Sequence, residues 1–152
     1  MTLGAALAGI EVRAAVELHP ASCATYRYNH PTVRLIQGDI RRLPQIEFGM
    51  RDAEVVVFGG PPCQGFSTSN QRTRHRDNPG NWLFLEFFRI IDAIRPEWVV
   101  FENVAGILQT DRGSFAATIK ERLCRTGYKV AAAPLKPLKP YIIMAGKKDG
   151  LI

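Results

Sequence analysis

The spacing of apolar residues along the chain predicts helices that alternate with strands. Leu3, Leu7 and Ile10 recur at helical spacing, and Gly9 is placed to end that helix. Further helices are predicted over residues 20–29, 83–94 and 114–125, and strands over residues 12–18, 32–36, 55–58, 98–101 and 128–133. This order favours a doubly wound, mostly parallel α/β sheet. It predicts one domain over residues 1–134, followed by a divergent tail, 135–152, in which the pattern is lost.

The composition is that of an ordinary globular chain. Its 152 residues are 46% hydrophobic and 22% charged, and the mean hydropathy is -0.07. No apolar run reaches the roughly 20 residues that a membrane span needs. No basic stretch precedes the first apolar residues, so we expect a cytoplasmic protein without a membrane partner.

Charge and cysteine content narrow the chemistry only slightly. The net charge of +6 permits a polyanionic partner without requiring one. The three cysteines are Cys23, Cys63 and Cys124, and they stand far apart. An odd and scattered set argues against both a disulfide framework and a zinc site.

Four polar features follow predicted strands: Glu17, Asp39, the loop that contains Cys63, and Glu102. Ligands of open α/β sheets bind beyond the carboxyl ends of the strands, so this coincidence predicts a site. Glu17 could accept both hydroxyls of a ribose, or it could be a strand-end acid or helix cap. Asp39 could accept a hydrogen bond from an adenine amino group beside Ile40, although Gly-Asp pairs are also common in turns.

Cys63 lies in an unusual loop. Pro61-Pro62 stiffens the backbone before it, and Gln64-Gly65 allows a sharp turn after it. A lone cysteine is usually a buried, inert thiol, but a Gly- and Pro-rich loop offers little apolar packing. A thiolate is also the strongest side-chain nucleophile near neutral pH, so the pattern favours a nucleophilic Cys63.

Two further features could assist such a nucleophile. Glu102 follows the apolar run Trp98 to Phe101 and could donate a proton or hydrogen bond to a ring nitrogen. The alternative is a strand-end acid that caps the next segment. Arg72, Arg74 and Arg76 alternate in one loop and could grip phosphates, or they could belong to a solvated loop.

Together these segments resemble the cytosine-C5 DNA methyltransferase family. Gly60-Pro61-Pro62-Cys63-Gln64-Gly65-Phe66-Ser67 is similar to the catalytic Pro-Cys loop of that family, and Glu102-Asn103-Val104 to its Glu-Asn-Val motif. Glu17 and Gly38-Asp39-Ile40 match its cofactor segments. The resemblance runs from about Leu3 to about Pro134 and implies a Rossmann-like sheet that binds S-adenosylmethionine.

The resemblance also implies a mechanism on double-stranded DNA in a restriction-modification type of system. A cytosine would be flipped out of the duplex, Cys63 would add to its C6, and Glu102 would engage N3. The implied cofactor-binding residues are Glu17, Leu18, Asp39, Ile40, Pro61 and Leu83. The implied nucleic-acid contacts are Gln64, Ser67, Arg72, Arg74 and Arg76.

The chain departs from the family pattern at both ends. It contains neither the first strand with its Phe-x-Gly-x-Gly-Gly loop nor the Gln-x-Arg-x-Arg segment expected after Leu135, and the recognition domain is missing as well. We therefore expect an incomplete sheet and a truncated enzyme that needs a complementing polypeptide. The alternatives are a non-catalytic module that binds nucleic acid or S-adenosylmethionine, and a cytosine-C5 methyltransferase that acts on tRNA.

Overall fold

A computed structural model describes residues 1–43, 54–61, 83–108, 113–134 and 140–147. The chain divides into two compact units, Met1–Gly49 and Met50–Ile152. No helix in these ranges is long and apolar enough to cross a membrane. Each unit contains its own sheet, and the second contains the larger core.

The first unit is a small two-stranded parallel arrangement. Its elements are α1 (Thr2–Leu7), β1 (Ala14–Glu17), α2 (Pro20–Asn29), β2 (Arg34–Gln37) and a 3-10 turn (Ile40–Arg42). Gly9 has a φ of 77°, which suits the glycine that ends α1. Pro20 occupies the first turn of α2, where its missing N–H costs nothing. The bounds of α2 are those predicted, whereas β1 and β2 are shorter than, or shifted from, their predicted ranges.

The second unit contains a four-stranded sheet in the order β3-β4-β6-β5. Its elements are β3 (Val56–Gly59), α3 (Leu83–Ile94), β4 (Trp98–Val104), a 3-10 turn (Ala105–Leu108), α4 (Ser114–Arg125), β5 (Lys129–Pro134) and β6 (Pro140–Gly146). β3 pairs in parallel with β4, and β6 runs antiparallel to both β4 and β5. Three of the four strands therefore share one direction, but two of the three pairings are antiparallel, so this sheet is mixed and not mostly parallel as expected.

β6 corrects the expectation that the pattern is lost after residue 134. Pro140–Gly146 forms a strand between β4 and β5, and Tyr141, Ile143 and Ala145 are buried. The alternation of buried and more exposed residues is the period of a strand with one face on a core. The strand is not evident from the sequence because its place depends on pairing with β4 and β5, which are distant in the chain.

The core of the second unit lies between the sheet and the pair α3 and α4. The cluster is aromatic-rich and includes Phe84, Phe87, Phe88, Phe101, Ile119, Leu123 and Ile143. The rings of Phe87 and Phe101 meet edge to face at 5.5 Å between centroids, a favourable aromatic geometry. This core fixes β4 in position, and β4 carries Glu102.

Hydrogen bonds also secure the end of this sheet at which β4 begins. The Tyr128 hydroxyl donates to the Pro96 carbonyl at 2.6 Å, and the Val55 amide donates to the Glu97 carboxylate at 2.7 Å. Burial raises the pKa of Tyr128 to about 12, with a smaller contribution from the charge of Glu97. These bonds lie where β4 begins, whereas Glu102 and Asn103 lie in its second half.

Candidate functional site

The Glu102 carboxylate packs against the backbone that leads to Cys63. β3 and β4 are paired up to Gly59 and Phe101, so Gly60 and Glu102 are the next residues along. A Cβ atom built on Gly60 would stand 2.6 Å from Oε2 of Glu102 and 3.5 Å from its carbonyl oxygen. Only glycine leaves room for the carboxylate there. The predicted acid therefore lies beside the start of the predicted nucleophile loop.

Asn103, the next residue of β4, makes a second connection to the same segment. Its Nδ2 donates to the Pro61 carbonyl oxygen at 3.1 Å, and its Oδ1 accepts from the Val104 amide at 2.9 Å. Asn103 is 5% exposed, and it is the one buried polar residue among those that the structure describes. Consecutive residues of one strand thus both contact the chain just ahead of Cys63.

Glu17 lies at the carboxyl end of β1, as expected. Its Oε1 accepts hydrogen bonds from the amides of Leu18 at 2.8 Å and His19 at 2.9 Å. These bonds hold the carboxylate at the approach to α2. Within the described residues, Oε2 has no assigned hydrogen bond, so one oxygen of Glu17 can still accept from a ligand.

Asp39 follows β2 and already has partners within the chain. It caps the 3-10 turn by accepting from the Arg41 amide at 3.0 Å, and it pairs with the Arg41 guanidinium. The hydrogen bond from the Arg41 side chain is the main reason that the pKa of Asp39 falls to about 2. The carboxylate is therefore ionised at neutral pH and is a turn cap, the alternative that its sequence context left open.

An open cavity of about 570 Å³ in the first unit includes Glu17 in its wall. The other lining residues are Leu3, Ala21, Ser22, Thr25, Tyr26, Asn29 and His30. The wall of this cavity does not include Leu18, Asp39 or Ile40. Of the described residues of this unit that were expected to bind the cofactor, only Glu17 therefore lines the cavity. Leu18 is 54% exposed, and Ile40 is half-buried.

The remaining predicted site residues divide into two groups. Pro61 and Leu83 are described and half-buried, with Leu83 at the first position of α3. Outside the described residues lie Cys63, Gln64, Ser67, Arg72, Arg74 and Arg76. Among the described residues no group of three or more His, Cys, Asp or Glu side chains is placed to hold a metal ion.

The roles of Gly60 and Asn103 were not predicted from the sequence. One signal was present, because Pro61 and Pro62 have no N–H groups and so cannot donate backbone hydrogen bonds that would tie this segment to a neighbouring strand. Asn103, which follows Glu102 in the mostly apolar β4, has a side chain that can form such a connection. Its partner could be identified only from the pairing of β3 with β4.

Comparison with protein families gives one match that covers most of the chain. The model of the C-5 cytosine-specific DNA methylase family matches residues 1–137. The Type II methyltransferase M1.HphI of Haemophilus parahaemolyticus is 37% identical over 161 residues, which cover 98% of this chain and 43% of that protein. The Type II methyltransferase M.XorII of Xanthomonas oryzae is 34% identical, covering 86% of this chain and 31% of that protein.

Solved structures give a consistent picture of the fold. A putative DNA modification methyltransferase from an Escherichia coli prophage superimposes with a TM-score of 0.74 at 27% identity, over 96% of this chain and 43% of that one. The S. pombe Dnmt2 methyltransferase superimposes with a TM-score of 0.72 at 21% identity, over 100% of this chain and 48% of that one, and supports the fold alone. The chain thus spans less than half the length of each of these proteins.

Proposed function

Because the chain belongs to the C-5 cytosine-specific DNA methylase family, we propose that it carries the catalytic centre of a restriction-modification DNA methyltransferase. The observation that carries this proposal is the contact between the Glu102 carboxylate and Gly60, three residues ahead of Cys63. The contact links the Glu102 carboxylate on β4 to the segment after β3 that leads to Cys63, and both side chains must act on one cytosine ring. The substrate is a cytosine flipped out of double-stranded DNA.

In the proposed mechanism the Cys63 thiolate adds to C6 of the cytosine, and a new S–C6 bond forms. Glu102 engages N3 and stabilises the charge that moves into the ring, so C5 becomes nucleophilic. S-adenosylmethionine, when bound, would supply the methyl group that C5 takes and would leave as S-adenosylhomocysteine. A base such as water or hydroxide then takes the C5 proton, and the electron pair of that C–H bond re-forms the C5–C6 double bond while the S–C6 bond breaks and releases the Cys63 thiolate.

Among the described residues, Glu17 fits the ribose of the proposed cofactor. The Oε2 atom of Glu17 is available to ribose hydroxyls, because the backbone amides of Leu18 and His19 bond to Oε1. Asp39 and Ile40 are proposed for the adenine, and Leu18, Pro61 and Leu83 for packing nearby. Both oxygens of Asp39 already accept hydrogen bonds from Arg41, so a bond from the adenine amino group would have to share or displace one of these contacts.

The contacts with DNA are proposed for the side chains after Cys63. Gln64 and Ser67 offer neutral donors, and Arg72, Arg74 and Arg76 offer positive charge for phosphates. A complementing polypeptide, expected from the sequence, stays part of the proposal. The cytoplasmic location expected from the sequence also stays a prediction.

A transfer assay with radiolabelled S-adenosylmethionine tests this function. The chain is incubated with cytosine-containing duplex DNA and, separately, with tRNA, and the labelled base is identified after digestion. Label in 5-methylcytosine of DNA supports the proposal, and activity gained only with a second polypeptide supports complementation. Label confined to tRNA favours the RNA enzyme, whereas tight binding of DNA or cofactor without transfer favours a non-catalytic module.

A further inference from the structure

Asn103 is a buried amide whose two ends are both engaged. Burial of an amide is unfavourable unless its hydrogen bonds are replaced, and Asn103 is only 5% exposed. Nδ2 donates to the Pro61 carbonyl oxygen and Oδ1 accepts from the Val104 amide. Since a carbonyl can only accept and a backbone amide can only donate, these partners fix the orientation of the side chain.

The Pro61 carbonyl accepts this hydrogen bond just beyond the point where the backbone pairing of β3 with β4 ends. The backbone pairing of β3 with β4 reaches Gly59 and Phe101. Pro61 and Pro62 have no N–H groups, so this segment has no backbone donor that could extend the pairing with β4. The Asn103 side chain bonds to Pro61 instead and continues the connection by one residue beyond Gly60.

We propose that Asn103 is a positioning residue that acts on Cys63 through the Pro61 carbonyl. The bond lies two residues ahead of Cys63, and Glu102 immediately precedes Asn103 in the chain. One hydrogen bond therefore sets the register between the strand that carries the acid and the start of the loop that carries the nucleophile. This role rests on the proposed function, in which Cys63 and Glu102 engage the same ring.

Matched substitutions separate positioning from stability. Asn103→Asp is nearly isosteric and replaces the donor with an oxygen that faces the Pro61 carbonyl, and Asn103→Ala removes the side chain. Tyr128→Phe is the control, because it also removes a buried bond to a proline carbonyl, that of Pro96, near the opposite end of β4. All three variants are expected to lower the melting temperature.

Covalent trapping on 5-fluorocytosine DNA with S-adenosylmethionine is the first readout. The Asn103 variants should lower the rate constant at saturating DNA by about tenfold to a hundredfold, since a misplacement of about 1 Å can cost about a hundredfold. Their Kd for DNA should be unchanged. Tyr128→Phe should trap at the wild-type rate. If Asn103→Asp does not fold, Asn103→Ala decides.

Alkylation of Cys63 by iodoacetamide is the second readout and needs no methyl transfer. It is measured by peptide mass spectrometry in a Cys124→Ser background, because Cys124 is the exposed thiol of the described residues. Both Asn103 variants should change the alkylation rate by about threefold or more, as expected of a thiol whose surroundings have moved. Failure of the wild type to form an adduct, both alone and with a complementing polypeptide, would count against the proposed function, while alkylation still tests Asn103. The positioning role would be overturned if folded Asn103 variants had the same alkylation rate as Tyr128→Phe. Where the wild type forms the covalent adduct, the trapping rates of these variants would also have to match.

Discussion

The carboxylate of Glu102 occupies the space that a side chain on residue 60 would need. Gly60 follows β3, and Glu102 lies beside it on the parallel strand β4. A Cβ atom at residue 60 would approach Oε2 of Glu102 to 2.6 Å, closer than real Cβ contacts. Glycine at this position is therefore a condition for the observed place of the acid.

Gly60→Ala should move the Glu102 carboxylate away from the Cys63 loop. We expect the rate of covalent trapping on 5-fluorocytosine DNA to fall by about tenfold or more, as for a displaced catalytic group. Gly4→Ala is the control, because nothing lies within 4 Å of a Cβ built there. Equal trapping by wild type and folded Gly60→Ala would show that the contact has no catalytic importance.

Glu102→Gln should remove the proton donor while it keeps the shape of the side chain. Loss of general acid assistance lowers rates by about 10² to 10⁴-fold, so the expected loss of methyl transfer is of that order. Glu97→Gln is a matched control, since Glu97 precedes β4 and bonds to the Val55 amide at the end of the sheet where β4 begins. The amide oxygen of Gln can still accept from Val55, so Glu97→Gln should leave the transfer rate intact. An equal loss of transfer in the two variants would contradict the specific role of Glu102.

Tyr128 should make the protein sensitive to alkaline pH. Its pKa is raised from 10.0 to about 12, so the fold favours the neutral phenol. The corresponding stabilisation is complete below pH 10 and is lost as the pH rises from 10 to about 12. Urea unfolding across this range should show a decline in stability that Tyr128→Phe removes.

Tyr28→Phe provides the comparison for the alkaline measurement, because Tyr28 is 87% exposed. That variant should keep the wild-type decline. At neutral pH, Tyr128→Phe should cost about 1 to 2 kcal/mol, the usual effect of a lost buried hydrogen bond. An identical pH profile for wild type and Tyr128→Phe would contradict the assignment.

Asp39 should titrate well below an ordinary aspartate. Its pKa is lowered from 3.8 to about 2, chiefly by the hydrogen bond from the Arg41 side chain. A lowered pKa stabilises the fold above pH 3.8, and this contribution disappears as the pH falls toward 2. Titration followed by NMR should give a midpoint near 2, and Arg41→Gln should raise it.

Arg42→Gln is the control for the Asp39 titration, because the Arg42 side chain lowers the pKa of Asp39 only through its charge. Its effect on the midpoint should be clearly smaller than that of Arg41→Gln. Equal shifts in the two variants would mean that the hydrogen bond is not the main cause.

The parts of the fold that depend on local signals could be predicted from the sequence. The bounds of α2 and α3 are those expected, because Pro20 begins α2 and Arg95-Pro96 ends α3. β6 could not be placed, since its position between β4 and β5 depends on pairing with residues far away in the chain.

The candidate site shows the same division between local and distant information. Glu17 ends β1 as the sequence predicts, whereas Glu102 lies inside β4, because the strand runs to Val104 and not to Phe101. The site roles of both acids stay predictions. The bond from Asn103 to Pro61 joins residues 42 positions apart, so it appears only when β3 and β4 are paired. Asp39 caps a turn through Arg41, which was one of its two alternatives, and its contact with the adenine stays a prediction.

Cys63 is proposed to form a covalent bond with cytosine. Mass spectrometry of the peptide trapped by 5-fluorocytosine duplex DNA in the presence of S-adenosylmethionine tests this bond, with Cys63→Ser and Cys124→Ser compared. We expect one DNA-linked peptide that contains Cys63, abolished by Cys63→Ser and unaffected by Cys124→Ser. Folded protein that binds this DNA yet forms no adduct, either alone or with a complementing polypeptide, or that forms the adduct at Cys124, would contradict the proposed role of Cys63.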